Sequence, residues 1–321
     1  MRLVTKTRLL IILLFTAINI SSFAQDLHWI GGSGSFNDPN HWSFVKNGKA
    51  SGTIPNKNTS IYFDSDLNNG TFVINFVGAS NFKSLVASTS LSQYHFVFSN
   101  FSETSIWGDF ELNPNIKLTG SGKFIFNNEG QQAKVNFLNQ IYQGDVIFKG
   151  GNWNIKSINT SDDKNVILES GSYTLNNARI NTGNAINFNF SSGNINVATV
   201  GNSTSASASF GLTSTATVIN WAGGILTLVQ RSTGTTQQDY NVAPTAGLTG
   251  GTLQVGNAST TTNYNFNLRG NVPTLLIDNT TNAKTAVLGA QLNIWNSVNV
   301  TAGSTLNLNG FTLFNAGSSV L

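Results

Sequence analysis

The chain has 321 residues, of which 10% are charged, with 17 Lys and Arg against 14 Asp and Glu and no Cys. Disulfides, thiolate metal sites and a lipidated Cys are therefore excluded, and the small basic excess does not cluster into a nucleic-acid footprint. Abundant Asn, Gly, Ser and Thr between runs of Val, Ile, Phe and Thr predict strands and tight turns rather than helices.

Residues 1–24 open with Arg2, Lys6 and Arg8, continue with an apolar run from Leu9 to Ile20 and close on Ser22-Phe23-Ala24. A basic start, an apolar stretch too short for a comfortable membrane span and small residues before Gln25 predict a secretory signal peptide. The expected location is secreted or on the outer cell surface. Loss of three of the 17 basic residues leaves a mature chain close to neutral.

Residues 25–60 differ in character from the rest of the chain. Trp29 and Trp42 bracket a Gly-rich turn and Asp38-Pro39-Asn40. An aromatic, non-repeating segment of this kind predicts a cap over the first rung of a repeat structure, which otherwise exposes an apolar cross-section and open strand edges. The rival expectation is that Trp29, Phe36 and Trp42 form a platform for stacking sugar rings. The spacing of Trp29, Gly31, Gly32, Gly34, Phe36, Asp38, Pro39, Trp42 and Ser43 resembles an N-terminal motif, W-x-G-G-x-G-x-(W/F)-x-D-P-x-x-W-S. That motif is met in secreted adhesin-like and autotransporter-like β-helix proteins of Bacteroidota. The resemblance implies a β-helical architecture and carries little information about activity.

From residue 61 to 321 strands alternate with turns in one recurring pattern. A pair of small residues is followed, two and four positions later, by apolar side chains. The pattern stands at Ser121-Gly122 with Phe124 and Phe126, and at Gly150-Gly151 with Trp153 and Ile155. It returns at Ser170-Gly171 with Tyr173 and Leu175, and at Ser192-Gly193 with Ile195 and Val197. Three more copies are Gly223-Gly224 with Leu226 and Leu228, Gly250-Gly251 with Leu253 and Val255, and Gly303-Ser304 with Leu306 and Leu308. Units this short cannot bury their own apolar face, so copies must stack. Spacing that varies around the mid-twenties suits coils whose strands are constant and whose turns are not. The expected fold is all-β, a right-handed parallel β-helix behind an N-terminal aromatic-rich cap, with tandem β-sandwiches as the alternative. Asn176-Asn177 and Asn309 sit where a turn needs left-handed backbone or an amide ladder. After Phe311 no second cap is recognised, which predicts either a continuation of the chain or a partner covering the last coil.

The chemistry-bearing residues are few. Ten Asp and four Glu are scattered. The segment Asp64-Ser65-Asp66-Leu67-Asn68-Asn69-Gly70 resembles a calcium loop in part, but its Gly comes one place late and Asn75 stands where the bidentate Glu belongs. No cofactor is expected; Asp64 and Asp66 are weak calcium candidates, and a polar turn is the preferred reading. Asp162-Asp163 in a polar loop are the one carboxylate pair a polysaccharide lyase could use. His28, His41 and His95 lack zinc spacing, and no nucleophile elbow, phosphate loop or H-E-x-x-H motif occurs. The expectation is a non-enzymatic, β-helical adhesin-like or structural protein binding surface polysaccharide. The alternative is a pectate-lyase-like polysaccharide lyase or hydrolase.

Overall fold

The computed structural model describes residues 25–65, 70–87, 94–138, 140–158, 160–176, 180–182, 185–199, 208–232, 238–280 and 282–317. The expected signal peptide, Asp66 and Asn177 lie outside them. Strands make up 51% of the chain and wind it into a parallel β-solenoid of about 10 turns. The alternative of tandem sandwiches is ruled out by the ladder. Among the described residues every named strand pair is parallel except Leu27–Trp29 with Trp42–Ser43.

One column of apolar side chains shows how the sequence produces the stack. Leu27, Ile61, Leu85, Phe110, Val135 and Ile155 succeed one another in register on successive coils. Leu175, Val197, Leu228, Val255, Ile277 and Val300 continue the same column. All but Val300 are buried. Strand neighbours are about 4.8 Å apart, so each side chain touches the one above and below it and a continuous core results. Alternation along each strand turns the residues between them outward.

The recurring small-residue turn has a steric cause. Gly193 adopts φ +91, and a Cβ there would lie 2.2 Å from the carbonyl oxygen of Gly171 in the coil below. Only Gly combines left-handed backbone with so close an approach.

Trp153, Tyr173, Ile195, Leu226 and Leu253 form one register column, as the repeat pattern predicts. Two copies of the pattern fall elsewhere. Phe124 and Phe126 belong to a separate seven-stranded sheet, and Leu306 pairs with Ala286 at a different corner. The column itself continues through Leu275 and Val298. A four-stranded sheet built on Gly34–Ser35, Gly70–Phe76, Tyr94–Asn100 and Ile116–Thr119 forms the third face of the early coils. In later coils the strands Asn265–Ile277 and Thr285–Val300 run around a corner with register shifts between Leu268 and Gly270 and between Val272 and Thr274, which merges two faces.

At the N-terminal end, Trp29, Phe36 and Trp42 are all fully buried. Trp29 meets Trp42 edge-on at 5.1 Å, and Phe36 stacks on Phe76 at 4.5 Å. The indole N–H groups are satisfied by backbone, Trp29 donating to Gly32 O (3.1 Å) and Trp42 to Phe36 O (2.7 Å). A one-turn 3₁₀ helix, Pro39–His41, is capped by Asp38, whose side chain accepts from the Asn40 N–H. These rings plug the first coil and leave no face on which a sugar could stack, so the platform expectation for Trp29, Phe36 and Trp42 is corrected to core packing.

Candidate functional site

Of the residues singled out from the sequence, those described are occupied in structural roles. Asp64 Oδ1 lies 2.8 Å from His28 Nδ1, and His28 stacks on Tyr62 at 4.8 Å. Burial, with Asp26 3.4 Å from its hydroxyl, raises the Tyr62 phenol above its ordinary pKa. The cluster ties the first strand to the loop after Ser60–Phe63. Asp162 accepts the Ala185 N–H at 2.7 Å, and the Asp163 N–H donates to Ala185 O, with Asp163 itself at φ 60. The pair braces one turn against the next coil. Among the described residues no group of three His, Asp or Glu side chains converges as a metal set.

The described residues form a sizeable open cleft at a corner the sequence did not single out. Between the seven-stranded sheet and the long sheet, each coil makes a turn, and the lengths of successive turns differ. Lys83 alone joins Ser80–Phe82 to Ser84–Ala87, Trp107 to Asp109 join Glu103–Ile106 to Phe110–Glu111, and residues 127–132 join Lys123–Phe126 to Ala133–Asn136. The turn before Ser60–Phe63, with Lys57 and Asn58, precedes them in the stack. Backbone bonds hold the four in order. Lys83 N donates to Thr59 O (2.7 Å), Gly108 N to Lys83 O (2.6 Å) and Asn127 N to Ile106 O (2.7 Å). Short turns between longer ones leave a hollow of about 750 Å³, lined by Lys57, Lys83, Trp107, Asp109, Glu129 and Gln132 among others.

Both wall and floor are fixed. Asp109 accepts the Lys134 N–H at 2.8 Å, and its own N–H donates to Ser84 Oγ at 3.0 Å. Asn128, buried, donates to Gln131 O and to Asn152 O of the next coil, and accepts the Gly130 N–H at 2.9 Å. The long turn is therefore laced to itself and to its neighbour. Trp107 differs from the other tryptophans. Trp29, Trp42, Trp153 and Trp221 are fully buried and Trp295 packs against the core cluster, whereas Trp107 is partly exposed, outside that cluster and in the cleft. An aromatic face beside amides and carboxylates can stack an apolar ring face and bond the hydroxyls around it.

Two further groups are buried within the coils. Asp239 accepts N–H bonds from Ser232 (2.6 Å) and from Asn267 of the next coil (2.8 Å). Burial outweighs these bonds and pushes its pKa up to about 6. Asn100 donates to Tyr142 Oη at 3.0 Å inside the solenoid, and burial drives that phenol well above its ordinary range. Neither opens to the cleft, and both hold coils together. No family model, curated protein or solved structure matches the chain.

Proposed function

We propose that the chain is a non-enzymatic, secreted or cell-surface β-helical protein of adhesin-like type that holds glycans in the cleft around Trp107. The signal-like leader and the resemblance of the Trp29 to Ser43 segment to secreted Bacteroidota β-helix proteins support the address and the class. The single observation that carries the binding reading is Trp107, partly exposed in an open polar cleft while the other tryptophans are buried in the core or packed against it. Fixed walls favour recognition, because a preformed site spends little ordering entropy on its ligand.

The test is retention of the purified protein on insoluble and immobilised polysaccharides, with the soluble fraction checked for newly released sugar ends. Retention without release, lost in Trp107→Ala, is the expected result. Release of sugar ends with turnover would replace this reading with a lyase or hydrolase.

A further inference from the structure

We propose that the cleft selects anionic glycans: its ligand carries a carboxylate or sulfate held by Lys57 and Lys83 while the sugar ring lies on Trp107. This rests on the reading of the cleft as a glycan site and adds the chemical class of its ligand.

Lysines are scarce in this chain, and two of them converge here from adjacent coils, linked by the Lys83 N to Thr59 O bond. Both side chains are exposed, and neither forms an ion pair among the described residues. Elsewhere on the solenoid lysines near a carboxylate do pair, as Lys134 and Lys156 both do with Glu111 at 3.7 and 2.8 Å. Asp109 stands one coil beyond Lys83 in the stack, and the turn with Glu129 two coils beyond it. Glu129 lies on the turn three coils beyond Lys57, about 14 Å along a stack with strand spacing of about 4.8 Å, beyond the screening length of about 8 Å at physiological salt. Asp109 is turned to the Lys134 N–H. Among the described residues the lysine side therefore presents two ammonium groups outside any ion pair, beside the partly exposed Trp107.

Affinity electrophoresis of the purified protein through gels containing polygalacturonate, dextran sulfate or neutral dextran tests this. The expected result is retardation by one or both anionic polymers, the two arms telling carboxylate from sulfate, with little by dextran. Lys57→Gln/Lys83→Gln should weaken anionic retardation about tenfold or more, as loss of charge-assisted bonds implies, and Lys117→Gln, on another face, should not. The circular dichroism spectrum of each variant reports that it is folded. Equal retardation by dextran, indifferent to the lysine pair but lost in Trp107→Ala, overturns the anionic selection and leaves glycan binding standing. No retardation by any polymer, or retardation that Trp107→Ala does not alter, overturns both.

Discussion

The imidazole of His41 lies flat on the indole of Trp29, with centroids 4.6 Å apart and planes within 3°. The ring is threaded against the Gly-rich turn. A Cβ on Gly31 would stand 1.7 Å from His41 Nδ1, and one on Gly34 would stand 2.1 Å from Nε2. Gly31 and Gly34 of the N-terminal motif thus make room for one side chain.

Gly34→Ala is accordingly expected to cost about 1–3 kcal/mol through overpacking, read as a lowered urea midpoint. Adding His41→Ala should recover part of that loss, because the clashing partner is gone. Strict additivity of the two changes in a double-mutant cycle would show that the glycine is needed for another reason.

Trp42→Ala removes a fully buried ring bonded to Phe36 O, and about 3–5 kcal/mol is expected to go with it. Trp107→Ala, at a partly exposed ring outside the core cluster, should cost less than Trp42→Ala and should abolish glycan retention. Chemical denaturation alongside pull-down separates the two tryptophans; a reversed order of stability losses would contradict their assignment to core and cleft.

Asp239 makes stability depend on pH in an unusual direction. Its folded pKa, about 6, lies above its ordinary value of 3.8 because burial penalises the charged form. The protonated form is thus favoured by folding. The stabilising contribution is complete below pH 3.8 and is lost as pH rises through about 6, amounting to about 3 kcal/mol. The stability of the wild type relative to Asp239→Asn should therefore fall as pH rises from about 4 to about 7 in parallel thermal melts. A flat difference would mean that the bonds to Ser232 and Asn267 offset the burial.

Gly193→Ala meets both left-handed backbone and the Gly171 carbonyl at 2.2 Å. It should open the solenoid locally, with faster amide exchange in the strands Ser172–Asn176 and Asn194–Thr199 than in Leu27–Trp29. Uniform protection across the three strands would show that the turn relaxes without cost.

The stacking was legible because each coil repeats one requirement: a tight turn, then two inward apolar residues. Five of the seven copies read from the sequence fall into one register column, from Trp153 to Leu253. The copies at Gly122 and Gly303 fall elsewhere because other corners of the coil impose the same steric demand. The amide ladder was legible in kind but not in place. Asn293 donates to Asn271 Oδ1 at 2.9 Å, whereas Asn309 takes left-handed backbone at φ 51 and bonds Leu288 O. The cleft could not be read at all. It arises from a difference in turn length between coils, and turn lengths become neighbours only after Lys83, Trp107 and Asn128 have been brought into one vertical row. Nor does spacing reveal the partnership of His28 with Asp64, 36 residues away, since it depends on the pairing of Leu27–Trp29 with Ser60–Phe63.

The reversed pairing of Trp42 with Trp29 gives the rod a direction. At that end the long sheet finishes on Trp42–Ser43, a two-residue strand running opposite to all the coils behind it. A parallel strand from another molecule would find too few bonds there, and the wrong polarity, to continue the ladder. Addition of a like molecule through this edge of the long sheet, and so head-to-tail stacking that would use it, is thus disfavoured.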